Sequence, residues 1–323
     1  MNARLKLGLG LVGSSEPAEW PEIVARSCNL KGDLIPYIDH EGYRYHIFEG
    51  SGFFHVYAPF IQVDYLLVGG GGSGGKTTTG GCGGGGAGGL KTDNITMLKK
   101  TFDIIVGGGG AGRSLDGQGY NGDPSRILDG ENIVSETLGG GGGGRYSSTP
   151  TGNGLDGGSG GGAGGPFSEL PRSGGEGLQP DTETEGLGNK GADTLFEISG
   201  GTRGGGGGGA TGEGQSGPSH TAAIGGTGFD LNALWSLENG EIGKKRVGAG
   251  EIYDEGGGWF AGGGGGNRTA PGRAGGGKAG NADNLNTPTI PNTGSGSGAT
   301  HGGDSPNTFP GADGICIIRY QID

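Results

Sequence analysis

Runs of glycine constrain this chain more than any other feature. Six stand in a row at 204–209, within GGTRGGGGGGATGEG, and related tracts lie at 69–75, 83–89, 107–112, 139–144, 157–165, 262–266 and 275–277. An α-helix is closed to such runs, because glycine is the costliest residue there after proline. Strands are poorly served too, since the runs offer no side chains to pack. Two states remain. One is a flexible linker. The other is an extended left-handed helix of the polyproline II kind, with three residues per turn and a rise of about 3.1 Å, which makes a six-residue run about 19 Å long.

A single helix of that kind has no internal hydrogen bonds, so its N–H and C=O groups face outward. Several side by side can bond one another, and only glycine lets backbones come so close. Ordering a residue costs about 1–2 kcal/mol, and glycine loses the most freedom. A net hydrogen bond returns about 0.5–1.5 kcal/mol. A glycine lattice is therefore marginal alone and needs apolar strands at its edges, or a partner.

The 89 glycines among 323 residues follow no strict every-third period and are accompanied by only 15 prolines, which excludes collagen. Ten Phe, nine Tyr and three Trp, with apolar runs between the tracts, set the chain apart from a disordered linker. A net charge of −12 argues against nucleic acid as a partner. Cys28, Cys82 and Cys316 have no metal spacing and cannot all pair within one chain, which points to assembly under reducing conditions. The opening MNARLKLGLGLVG is too short and glycine-broken for a signal peptide, and no run has the length of a membrane span, so no membrane insertion is expected.

Along the chain, Leu5, Leu7, Leu9 and Leu11 alternate as in a strand with one apolar face. It is either an arm that pairs with another subunit or an edge strand of its own domain. Residues 21–29 read as a short helical turn. Residues 43–48 and 53–57, joined by a turn at 49–52, read as a β-hairpin. The strand 63–68 runs directly into the first glycine tract. That junction recurs: 102–106 runs into GGGGAG, 133–138 into six glycines, and 195–198 precedes SGGTRGGGGGG. The closing stretch 314–323, GICIIRYQID, is a strand expected to pair with an earlier one. The best helix candidate is 230–239, with Asp230 as its cap.

The fold class that follows is mostly β plus irregular: short strands framing a bundle of packed polyglycine II helices. The expected organisation is an arm at 1–33, a β-hairpin lead-in at 34–63, and a glycine-rich domain at 64–323 closed by the strand 314–323. Gly107, Gly141, Gly206 and Gly264 represent the positions where packing is expected to exclude a side chain.

Residues 70–77, GGGSGGKT, meet the phosphate-loop pattern G-x-x-x-x-G-K-[ST], with Lys76 and Thr77 in place. Such a loop must open a helix, and TTGGCGGGGAGG cannot form one. No nucleotide or other cofactor is expected. His40, His46, His55, His220 and His301 show no metal spacing, no serine sits in a nucleophile elbow, and no carboxylate pair stands out. The sequence supports no enzyme. Tyr120, Tyr146, Phe167, Trp259 and Phe260 lie beside glycine tracts. Either they cap the exposed ends of the lattice, or the loops present their rings to a ligand.

Together, YRYHIFEGSGFFHV, VDYLLVGGGGSGG, FDIIVGGGGAG and the terminal GADGICIIRY resemble the glycine-rich domain of bacteriophage virion proteins, tail fibres especially. The phrase F-x-G-x-G-x-F-x-V is met at Phe48, Gly50, Gly52, Phe54 and Val56. The architecture is similar to the tip adhesin of T-even-like phage long tail fibres, built from packed polyglycine II helices. The resemblance implies a virion protein of the tail or fibre, assembled in the host cytoplasm. It implies loops that bind a host cell-surface receptor or glycan, and contact with other virion subunits through the N-terminal arm. A homotrimer is one arrangement the fibre analogy suggests. The alternative is a non-adhesive structural protein, such as a capsid decoration or a fibre adaptor. An enzyme acting on polysaccharide ranks last.

Overall fold

The computed structural model describes residues 24–147, 149–166, 171–179, 185–194, 203–216, 223–235, 258–266, 272, 276–277, 288–301 and 307–322. In chain order the strands are β1 (Ala25–Asn29), β2 (Tyr37–His40), β3 (Tyr43–Phe48), β4 (Gly52–Val56), β5 (Phe60–Val68), β6 (Lys76–Thr77), β7 (Leu90–Leu98), β8 (Thr101–Ile105), β9 (Ser125–Asp129), β10 (Asn132–Thr137), β11 (Phe229–Asp230), β12 (Trp259–Phe260), β13 (Thr300–His301) and β14 (Ile315–Gln321). A short helix, α1, spans Leu231–Trp235. Asp230 Oδ1 accepts the Asn232 N–H at 2.9 Å and caps it. The remainder of the expected 230–239 helix lies outside the described residues, as does the strand expected at 195–198.

Two five-stranded antiparallel sheets dominate, and neither closes into a barrel. One has the order β1-β4-β8-β9-β10, the other β2-β3-β14-β5-β7. Alternation decides what each face buries. In β5, Ile61, Val63, Tyr65 and Leu67 join Phe54 and Ile104 of the first sheet in one core, while Leu66 and Val68 point the other way. In β14, Cys316, Ile318 and Tyr320 enter that shared core, and Ile315 and Ile317 face the opposite side. There they meet Phe229, Leu231, Trp235 and Phe260. The second sheet is thus buried on both faces, which is why VDYLLV and ICII read as continuous apolar runs.

The closing strand does pair with earlier strands. It lies between β3 and β5, with Ile317 opposite both Ile47 and Leu66. The expected hairpin of 43–48 with 53–57 is not formed: β3 belongs to the second sheet and β4 to the first. Both segments alternate correctly, but Phe48 and Phe54 face the same inter-sheet core, so the turn at 49–51 carries the chain across from one sheet to the other. The true partner of β3 is β2, joined by Glu41 and Gly42 at φ 48° and 77°, the left-handed pair that a two-residue hairpin turn demands. The helical turn expected at 21–29 is replaced over Ala25–Asn29 by β1, which pairs with β4. The expected boundaries at 33 and 63 therefore both fall inside the sandwich, and the arm reading is left with 1–23, outside the described residues.

Beyond the sandwich the glycine tracts bond to one another through backbone alone. In 83–89 the N–H groups of Gly83, Gly86 and Gly89 donate to the carbonyls of Gly144, Gly141 and Leu138, each at 2.8 Å. Gly84 and Ala87 donate to Gly205 and Gly208 at 3.0 Å, and Gly85 and Gly88 to Ser297 and Gly294 at 2.9 and 2.8 Å. Successive N–H groups point to three different neighbours, and the pattern returns every third residue. The carbonyls keep the same rhythm. Those of residues 83, 86 and 89 accept from Gly75, Gly72 and Gly69, those of 84 and 87 from Gly162 and Ser159, and that of Gly85 from Gly264. Six neighbouring segments thus surround 83–89. The adjacent tract 204–209 is enclosed in the same way, bonding segments around residues 163, 192, 215, 226 and 264 as well as 84.

At most of its glycines this packing admits no side chain. A Cβ on Gly206 would lie closer than 3.0 Å to the Ile224 carbonyl, and one on Gly107, Gly141 or Gly264 would meet the carbonyl oxygens of Asp123, Leu155 or Ser297 in the same way.

Candidate functional site

The tracts give the molecule two ends. Strands β5, β8 and β10 run directly into 69–75, 107–112 and 139–144, so these tracts leave the sandwich from one side. The turns that reverse them, at 113–116 and 145–152, lie at the far end of the lattice. Between these turns opens a cleft of about 450 Å³, lined by Arg113, Asp116, Gln118, Tyr120, Arg145 and Thr151 among others.

Each wall is tied to the lattice. Arg113 N–H donates to Thr308 Oγ1 at 2.7 Å, and Thr308 N–H to the Arg113 carbonyl at 3.0 Å. Gly117 and Lys76 exchange backbone bonds at 2.9 Å. Tyr120 N–H donates to Ser73 Oγ and its carbonyl accepts from Ser73 N–H, both at 2.9 Å. On the other wall Arg145 Nε donates to Thr151 Oγ1 at 3.0 Å. Gln118 Nε2 crosses between the walls to the Asn153 carbonyl at 2.7 Å. The Arg113 guanidinium lies 4.6 Å from the centroid of the Tyr120 ring, a cation–π geometry, while 49% of Tyr120 stays exposed. Neither Arg113 nor Arg145 forms an ion pair with a described residue. Asp116 Oδ2 is held by the Thr78 N–H at 3.2 Å and its hydroxyl at 3.1 Å.

The aromatics named from the sequence do not converge. Tyr120 lines the cleft. Tyr146 follows Arg145 and covers Gly80, where a Cβ would strike its ring. Phe260 is 1% exposed, buried in the core beside Phe229 and Trp235 where no ligand can reach it, and so it is a core residue rather than a ring at an exposed lattice end. Its neighbour Trp259 is half-buried and paired with Asp230 in β11. Phe167 lies outside the described residues. The two arginines were missed, although both follow a tract directly, in GGGGAGR and GGGGGGR. A basic residue where a tract ends and a turn begins was the available signal.

Around Lys76 the backbone has other engagements. The N–H groups of Gly70, Gly71, Gly72, Ser73, Gly75 and Lys76 donate to Asp123, Ala312, Gly86, Tyr120, Gly83 and Gly117. The amides a phosphate would need are already bonded, and Lys76 itself lies in β6, paired with β13.

Elsewhere, charge is used structurally. Arg319 on β14 lies between Tyr43 and Trp235, 4.3 and 4.4 Å from their ring centroids, with Nε 3.0 Å from Asp64 Oδ2. His46 is buried, bonded to Ser27 Oγ at 2.9 Å and stacked on Tyr320. Burial, with help from Arg44, pushes its pKa down to about 4. The three cysteines are free and buried, and burial pushes the Cys82 thiol up to about 12. Among the described residues no three His, Cys, Asp or Glu side chains are placed to hold a metal, and no helix is long and apolar enough to cross a membrane.

A β-sandwich prolonged by a backbone-bonded array of glycine tracts, with polar turns at its far end, defines the class. The chain belongs to the glycine-rich domain family, which matches residues 51–321. No curated protein matches it.

Proposed function

We propose that the tracts are polyglycine II helices and that the protein is a bacteriophage virion component of the tail fibre or tail tip, presenting its far loops to the host surface. Support for the helices comes from the hydrogen-bond rhythm: a return every third residue, with six neighbours, is what a threefold helix packed side by side requires. A lattice of that kind raises the far loops about 19 Å above the strands for a six-residue tract.

One observation carries the functional reading, the polarity of the molecule. The chain enters the described region at Val24, whose carbonyl accepts the Tyr57 N–H at 2.9 Å, and leaves it after β14 at the Gln321–Tyr43 end of the sheet. Both points lie at the sandwich end, opposite the cleft. Exposed Tyr57, Phe60 and Leu98 cluster at that same end. In this reading, residues 1–23 and the apolar end meet other virion subunits, a homotrimer being the arrangement suggested by fibres, and the lattice projects outward. The alternative is a capsid decoration or fibre adaptor with no adhesive role.

Labelling the protein in intact particles tests the reading. A distal tail position, together with binding of the purified chain to host cells, is expected. A position on the head or collar without cell binding would overturn it in favour of the scaffold.

A further inference from the structure

Of a chain with net charge −12, the far cleft holds two arginines and a single, already bonded aspartate. That inversion of sign is local and built. Arg113 is fixed by Thr308 through its backbone and by Tyr120 beneath its guanidinium. Arg145 is fixed through Nε on Thr151, which leaves its two terminal nitrogens to make contacts of their own. A planar guanidinium matches a carboxylate with two parallel bonds. Beside these forks, Tyr120 presents a half-exposed ring. Its flat apolar body with a polar tip suits a pyranose, whose C–H face is apolar and whose edge is hydroxylated. Gln118 at the cleft wall, with Nε2 bonded to the Asn153 carbonyl, adds an amide oxygen as acceptor. The cleft is open and sets polar side chains beside apolar surface, as the two faces of a sugar require, and its volume of about 450 Å³ holds a small saccharide.

We propose that this cleft binds an acidic saccharide, with its carboxylate held by Arg113 and Arg145 and a sugar ring against Tyr120. The proposal rests on the host-surface reading above and names the chemistry recognised there.

The test uses the full chain and two probes, a glucuronate tetrasaccharide and its carboxyl-reduced neutral counterpart, with binding measured by calorimetry and saturation-transfer NMR. Binding of the acidic probe, with the neutral one at least about tenfold weaker, is expected. R113Q and R145Q should each weaken the acidic probe about tenfold while the melting temperature stays unchanged. Leu115→Glu, at a 76% exposed residue of the 113–116 turn whose carbonyl accepts from Arg113 Nε, should do the same by placing a carboxylate near the forks. Equal binding of both probes, binding of neither, or binding indifferent to all three variants overturns the proposal. Displacement of the acidic probe by millimolar inorganic phosphate, with phosphate the tighter ligand, overturns the carboxylate assignment. Adsorption to host cells is measured on the same variants. If adsorption persists while the acidic probe fails to bind, this cleft is refuted and the host-surface reading stands. If the probe binds as described but cells are not adsorbed, the reverse holds.

Discussion

Replacing Gly85 by alanine adds one methyl group at the centre of the lattice. Its Cβ would lie closer than 3.0 Å to the carbonyl oxygen and carbon of Gly72. Both atoms are backbone, so no side chain can swing aside. The segment 69–75 must retreat from 83–89, and three bonds cross that gap: Gly69 to Gly89, Gly72 to Gly86 and Gly75 to Gly83, at 2.8–2.9 Å. A buried bond left unmade costs about 1–3 kcal/mol, so losing the set costs about 3–9 kcal/mol. Alanine also restricts the unfolded chain, which returns about 0.4–1 kcal/mol. The net loss is comparable with the whole stability of a domain, about 5–15 kcal/mol. Gly50→Ala is the control, because a Cβ there meets nothing within 4 Å and the residue has no positive φ. Urea unfolding followed by the fluorescence of buried Trp235 measures both. Gly50→Ala should stay within about 0.5 kcal/mol of the parent. A Gly85→Ala protein equally close to the parent would refute the lattice as the source of stability.

Gly206→Val should behave like Gly85→Ala, because its side chain meets the Ile224 carbonyl and the Gly225 nitrogen; a melting temperature within a degree or two of the parent, by the size scaling of such shifts, sinks this expectation. His46 binds its proton more weakly when folded, at about 4 against 6.5 unfolded, so the unfolded state takes up the proton first as pH falls. Stability should decline by about 1.4 kcal/mol per pH unit from 6.5 toward 4, and His46→Gln should flatten that slope in acid titrations of the unfolding midpoint. Arg319→Lys keeps the charge but loses the flat stack between Tyr43 and Trp235, and should cost about 1–2 kcal/mol in urea unfolding; a neutral result shows that the stack is ornamental. Lys76→Ala should leave ATP binding unchanged at the background of the parent, and a micromolar ATP affinity abolished by that change would reverse the reading of 70–77.

The strand-to-tract junctions were legible because two opposite signals meet there. β5, β8 and β10 each carry several β-branched residues, and the residues after them can be nothing but extended glycine. The place of the closing strand was legible for the same reason. Pairing across 49–52 was not, because alternation fixes which face a residue uses but not which sheet its strand joins. Phe48 and Phe54 satisfy one core from two sheets, and a hairpin would have satisfied it equally well in one. β1 escaped notice because ARSCN carries little apolar character, and it is held instead by β4 and by the Ser27–His46 contact. The cleft was half legible. An aromatic beside a tract marks Tyr120 and Phe260 alike, and only the fold buries one and exposes the other.

The energetics of the lattice explain why it grows from this sandwich. Glycine tracts gain little from each bond and lose much in ordering, so a tract end held by nothing would fray. Here 69–75 continues from β5, and 83–89 runs into β7, the strand paired with β5 along its full nine residues. The two tracts are thereby aligned before their own bonds form, and the Gly69–Gly89 bond simply continues the ladder begun at Val68 and Leu90. Burial of the second sheet on both faces makes that anchor rigid. At the far end the constraint relaxes. The turns at 113–116 and 145–152 mainly reverse the chain, so side chains such as those of Arg113, Leu115, Asp116 and Arg145 stand outside the backbone bonds of the tracts. A fold whose interior is backbone bonded to backbone leaves almost all chemical variety to those turns, which is where a recognition surface belongs.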